Sequence, residues 1–302
     1  MVDWSVFFET LISGIGVGSL YALIAIGFSL IYKVTDVLNF AQGQIALVGA
    51  YGVVILSAVF GLSPFVAVAA TILLGILLGV VLERGIFRWF IGEPVLSVII
   101  VTLALIGIFQ GIIRLAPAGG PNFRGYPEAL LVDWSIPLPM GISLRGEFAI
   151  GVVLALAVMG VLMAFFRYTV MGAVLRASAS DEQAAMALGV SIERNILIAW
   201  TISIVITVIG GMLLAMSRGG AGMAIEHVGI VILAAVILGG LDSIPGAFIG
   251  SIVVGLLEQF GTFYLEPYVG PGFGPVLPLV FLMVVIVVIP YGLFGTERIE
   301  RL

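Results

Sequence analysis

The sequence predicts an all-α polytopic membrane protein with about nine transmembrane segments, one of them short or re-entrant. Three observations carry this prediction. Hydrophobic residues make up 62% of the 302 and charged residues only 10%, whereas a soluble domain is about one quarter charged. The apolar residues fall in continuous runs, not in the short alternating segments of a β-barrel. The one lysine and most of the eleven arginines sit between or beyond those runs. With so much apolar surface (mean hydropathy +1.29), the bilayer must act as the solvent.

Eight runs come near the ~20 residues that cross a bilayer as a helix. They lie at about 6–32, 39–61, 64–83, 95–115, 147–166, 196–217, 246–264 and 275–293. The segment before them, MVDWSVFFET, is acidic and lacks the positive stretch of a cleaved signal, so the first helix is expected to be retained. A ninth run, Val228–Leu241, has about 14 residues. At ~1.5 Å per residue it reaches ~21 Å, short of a ~30 Å hydrocarbon core. The turn LDSIPG at 241–246 separates it from the next run.

Arginine positions set the expected orientation. Arg84 and Arg88 follow the third run, Arg167, Arg176 and Arg194 the fifth, and Arg298 and Arg301 the last. All three groups face the cytoplasm if the N-terminus is external, the C-terminus cytoplasmic, and 228–264 crosses twice or forms a hairpin. Segment 116–146 then lies outside, although it holds Arg124 and Arg145; it also holds Glu128, Asp133 and five prolines. No linker or charge block divides the chain, so 1–302 reads as one domain.

Composition excludes much chemistry. Cysteine is absent and His227 is the only histidine, which rules out disulfides, thiol catalysis and a Cys- or His-rich metal site. There is no G-x-x-x-x-G-K-[ST], and the single lysine, Lys33, follows a tyrosine. No P-loop can form, so the chain is expected not to hydrolyse ATP. Basic patches for nucleic acid are missing.

The polar positions that remain are few. The loop 167–195 carries a helix signal: Ser180 caps, Asp181 and Glu182 favour the positive first turn, and Gln183 completes an S-x-x-Q box. Ala184, Ala185, Ala187 and Leu188 favour helix, and Gly189 ends it. Such a small-faced helix either packs on its own bundle or is offered to a partner. Asn39, Gln42 and Gln44 are costly facing lipid; they cap and tie helices, or touch a substrate in transit. Glu258 lies within an apolar run, either hydrated near its outer end or functional. Glu226 and His227 precede the short run, as caps or as an entrance gate. Arg114 and Arg218 are placed near the outer face. Gly14/Gly18, Gly75/Gly79, Gly107/Gly111 and Gly246/Gly250 have the spacing of close helix crossings.

Two motifs give a resemblance. Gly18–Tyr51 reads GSLYALIAIGFSLIYKVTDVLNFAQGQIALVGAY, and 239–258 reads GGLDSIPGAFIGSIVVGLLE. With the terminal IPYGLFG at 289–295, these blocks resemble the LivH-type permease subunit of branched-chain amino acid ABC importers. That family often has His and Glu where Gln42 and Gln44 stand here, and an amide does not titrate. The segment EQAAMALG resembles the E-A-A-x-x-x-G coupling loop of ABC permeases, with Glu182 one residue off the strict spacing.

The resemblance implies an ABC importer permease fold in a bacterial plasma membrane, working by alternating access. It assigns ATPase coupling to Arg176, Ser180, Asp181, Glu182, Ala185, Leu188 and Gly189. It makes Tyr21, Asn39, Gln42, Gln44 and Glu258 candidates for the translocation path. Expected partners are a LivM-type homologous permease or a second copy, two ATPase subunits holding ATP and Mg, and a soluble binding protein. The cargo is a branched-chain or other hydrophobic amino acid. The alternatives are urea, a short amide or another small metabolite, or a stand-alone ion-coupled transporter.

Overall fold

The structure is a computed structural model and describes residues 4–117, 122–180, 190–225, 227–289 and 292–295. All nine apolar runs are helical. Trp4–Thr35 forms α1, Gln42–Ala58 α2, Pro64–Gly85 α3, Val95–Leu115 α4 and Gly146–Tyr168 α5. A helix not foreseen, α6 (Val170–Ser180), follows at once; α7 spans Ile192–Ser217 and α8 Val228–Gly239. Ile244–Phe260 forms α9, prolonged by a π-helical turn (Gly261–Leu265) and a last turn, α10 (Glu266–Val269). Val276–Val288 forms α11. Six of these helices are long and apolar enough to cross a membrane; α2, α8 and α11 are shorter.

The centre of the bundle is α1. Its middle is built from Gly, Ala, Ser and aliphatic residues on every side, and a helix apolar all round is one that is surrounded. From Gly18 to Ile31 every residue is buried. Helices α9, α7, α5 and α8 pack around it. Small residues decide how closely. A Cβ at Gly18 would stand 2.7 Å from Ile252 Cα, and one at Gly79 2.7 Å from Thr201 Cα. Gly246 and Gly250 likewise press on the backbone of α8 at Gly239 and Ala235. Gly107 and Gly111 differ: nothing lies within 4 Å of the space a Cβ would fill. The spacing that predicts a crossing on α4 therefore meets no partner among the described residues, and α4 keeps an exposed face with Leu96, Ile100 and Ile108.

The first reversal of the chain positions the site. Helix α1 closes with Asp36 N–H donating to Tyr32 O at 2.8 Å, and Asp36 takes φ +54°. Asp is among the few non-glycine residues that accept this left-handed geometry. The chain then runs back into the bundle without helix through 36–39. Helix α2 starts beside the middle of α7, not at the bundle's end, and this shortens it to 17 residues.

Segment 116–146 and the exit of α7 meet at one end. The two-residue strand β1 (Arg124–Gly125) pairs with β4 (Gly220–Ala221), and β2 (Ser135–Pro137) with β3 (Ser143–Arg145), both antiparallel. Tyr126 is buried beneath this cap, and among the described residues its hydroxyl has no partner. Burial pushes its pKa up.

At the other end, Thr169 Oγ1 accepts from Gly172 N–H and starts α6, and Asn195 Nδ2 donates to Ser178 Oγ at 3.1 Å, tying α6 to α7. Ser180 is the last residue of α6; residues 181–189, with the cap acids and the Ala185–Gly189 spacing, lie outside the described residues. Arg298 and Arg301 do as well. The carbonyls at the C-terminus of α8 are met by the chain's own tail: Leu293 N–H donates to Leu238 O at 2.8 Å and Phe294 N–H to Gly239 O at 3.0 Å.

Candidate functional site

Asn39, Gln42 and Gln44 come together where α2 begins. Asn39 Oδ1 accepts from Ala41 N–H at 3.1 Å, and Asn39 Nδ2 donates to Gln42 Oε1 at 2.8 Å. Gln42 Nε2 reaches across to Thr207 Oγ1 and, at 3.4 Å, Ser203 Oγ, both midway along α7. Ser203 Oγ donates in turn to Gly27 O at 2.6 Å, so the network joins α1, α2 and α7. Polar groups held away from water are stable when each has a partner. Gln42 thus ties α2 to α7, while Asn39 bonds locally to Ala41 and Gln42. Ser203 and Thr207 were missed in the sequence, although their four-residue spacing puts two hydroxyls on one face of an apolar helix.

Gln44 behaves differently. It is 5% exposed, yet no hydrogen bond ties its amide, and it lines a cavity of about 330 Å³. Asn39, Gln42, Gln110 and His227 add polar groups to the walls, and Phe28, Ile106 and Leu233 add apolar ones. The cavity lies where two helices start. Gly229 in the first turn of α8 meets Gly43 in the first turn of α2: a Cβ on Gly229 would stand 2.9 Å from Gly43 Cα. Neither helix start has a side-chain cap. The site opens beside Leu103 and Ile230, which are 47% and 58% exposed. Gln110 was not foreseen; its signal was an amide inside an apolar run.

Tyr21 and Glu258 form a second polar spot, one that the sequence did not pair. Glu258 is 9% exposed, and Tyr21 Oη donates to its carboxylate oxygens at 2.8 and 3.1 Å. Of the two readings, a hydrated carboxylate near a helix end does not fit: Glu258 is buried, and the helix continues past it through the π-helical turn. The pair locks α1 to α9 and does not line the amide cavity.

Arg176 stands apart from both. It is exposed on α6 and lines a cleft of about 450 Å³ with Lys33, Arg167 and Asp242, near the end of the bundle that leads into 181–189. Lys33 Nζ donates to Asp242 O at 2.8 Å. Nearby, Arg88 joins Glu83, which is fully buried, to Glu193 in the first turn of α7. Among the described residues no group of His, Asp and Glu is arranged to hold a metal.

The geometry defines a class: a multi-pass helical membrane protein with a polar cavity inside an apolar bundle. Residues 10–290 match the family described as branched-chain amino acid transport system / permease component, and the chain belongs to that family. It is 29% identical to the probable branched-chain amino acid transport permease protein LivH of Methanocaldococcus jannaschii, over 94% of this chain and 92% of that one. It is 28% identical to the high-affinity branched-chain amino acid transport system permease protein LivH of Escherichia coli K12, over 98% and 97%. The autoinducer 2 import system permease protein LsrC of Escherichia coli is 29% identical over 63% of this chain and 54% of its own length.

Proposed function

We propose that this chain is the transmembrane permease subunit of an ATP-binding-cassette importer that passes branched-chain or other hydrophobic amino acids inward. The observation that carries the reading is the amide-walled cavity between α2 and α8, set within a bundle that is otherwise apolar. The near full-length likeness to LivH proteins supports the substrate class. The likeness to LsrC favours a second reading, import of another small metabolite by the same machinery.

In this reading the nine helical segments cross or enter a bacterial plasma membrane with the N-terminus outside and the C-terminus inside. A LivM-type permease, or a second copy, covers the exposed face of α4 and the mouth of the cavity. A soluble binding protein delivers substrate at the end capped by 116–146. Two ATPase subunits, holding ATP and Mg, grip Ser180–Gly189. ATP-driven closure rocks the helices between outward- and inward-open packings, a shift between two populated states. Arg176, on the helix leading into that segment, faces the same partner.

Bulky residues at Ala185 and Gly189 test the coupling. With a partner groove closing on them, Ala185→Trp and Gly189→Trp abolish substrate-stimulated ATP hydrolysis in the reconstituted complex and leave its assembly intact. Unchanged stimulation sinks the assignment, and so does protease or label access to Ser180 from outside the cell.

A further inference from the structure

We infer that the amide cavity holds the carboxylate of the substrate, with the uncapped N-termini of α2 and α8 supplying the positive pole. The inference rests on the permease reading above and adds the chemical group that the site recognises.

A helix start leaves its first N–H groups without partners inside the helix, and the aligned peptide dipoles make that end positive. An anion is the natural occupant of such a place. Here two starts converge: Gly43 and Gly229 touch across the gap, and residues of both first turns line the same cavity. Helices of 17 and 12 residues supply them, so both carry a developed dipole. Neither start is capped by a side chain. Gln42 N–H and Ile230 N–H already turn back to Asn39 O and His227 O; for the other N–H groups of these first turns, inside an apolar bundle, a bound ligand can take the part that water plays in a soluble protein.

Gln44 is the independent observation. Its side chain is buried and lines the cavity, and it has no hydrogen-bond partner among the described residues, while its neighbours Asn39 and Gln42 are spent on each other and on α7. The Gln44 side chain lines the cavity, and a carboxylate arriving there between two positive helix ends gives its amide a charged partner. Gln110 adds a second amide. Among the described lining residues there is no acid. Phe28, Ile106 and Leu233 give the rest of the wall an apolar surface suited to an aliphatic side chain. Amide oxygens of Gln44 and Gln110 are the acceptors left for an ammonium group.

The experiment measures ligand-induced thermal stabilisation of the full-length chain, copurified with its partner permease in detergent, which reads weak binding at millimolar ligand. The probes are L-leucine, 4-methylpentanoate (no ammonium), 3-methylbutylamine (no carboxylate) and urea. Leucine and 4-methylpentanoate are expected to stabilise; the amine and urea are not. Gln44→Leu, which breaks no hydrogen bond, weakens 4-methylpentanoate about tenfold, the loss of one bond to a charged group. Gln44→Glu weakens it further by repulsion. Stabilisation by the amine but not the acid overturns the inference, as do equal effects of acid and urea or unchanged binding in both variants. If binding fails while the complex still imports leucine with ATP, the inference falls and the permease reading stands. If the acid binds but leucine is not imported, the site stands and the substrate reading falls.

Discussion

Gln42 and Gln44 are two residues apart, chemically identical and equally buried, yet they have different work. Gln42 is bonded to Asn39, Thr207 and Ser203; among the described residues Gln44 has no hydrogen-bond partner. Gln42→Leu therefore strands three polar groups and costs about 1–3 kcal/mol, read as a lower melting temperature in detergent, whereas Gln44→Leu leaves the melt unchanged and lowers transport. Tyr21→Phe removes the hydroxyl that serves Glu258 and destabilises by a similar ~1–3 kcal/mol; Tyr21→Phe with Glu258→Gln recovers part of the loss. Tyr126 runs the other way. Its hydroxyl has no partner, so Tyr126→Phe is neutral or stabilising by about 1 kcal/mol. Because burial raises its pKa above the unfolded value near 10, its contribution is whole below pH ~10 and is lost as pH rises beyond it; the Phe variant lacks that alkaline loss, checked by melts from pH 8 to 11. The amides were legible in the sequence because an amide facing lipid is an anomaly in itself. The partner of Glu258 was not, since it lies 237 positions away and no local pattern encodes it.

At the level of helices, length and composition located all nine runs, but not where they begin in depth. The shortness of α8 was read from its residue count. The late start of α2 was not, because its apolar run includes 39–41, which fold as irregular chain and a turn. The glycine pairs show the same division: spacing marks a surface fit for close approach, and only the fold says whether a neighbour comes. On α4 none does. The chain lacks cysteine, so single substitutions report cleanly. Leu103→Cys is expected to react with a membrane-soluble maleimide in the isolated chain and to be shielded when the second permease is present. Equal labelling in both states places the partner elsewhere.

Across the described residues, six long helices and several shorter ones make one bundle whose inside is not uniformly dry. The polar groups are not scattered. They gather at the α2–α7 seam, at the Tyr21–Glu258 pair, and at the cationic end near α6. Only the first of these borders a cavity with an unserved amide. A transporter changes state by exchanging one packing for another, and the backbone-to-backbone approach of α1 with α9 and of α8 with α9 favours their moving as a unit. Gly18→Val, which puts branched bulk against Ile252 Cα, is expected to cost stability by about 1–3 kcal/mol, as overpacked cores do, and to lower the yield of folded protein.

The tail that closes α8 has a consequence for biogenesis. Leu238 and Gly239 leave the ribosome more than fifty residues before Leu293 and Phe294, which complete their hydrogen bonding. Until Leu293 and Phe294 are made, the α8–α9 hairpin lacks these two partners for its carbonyls. A nascent chain stopped at Ile289 would hold the six long spans of the described residues and still lack this clasp.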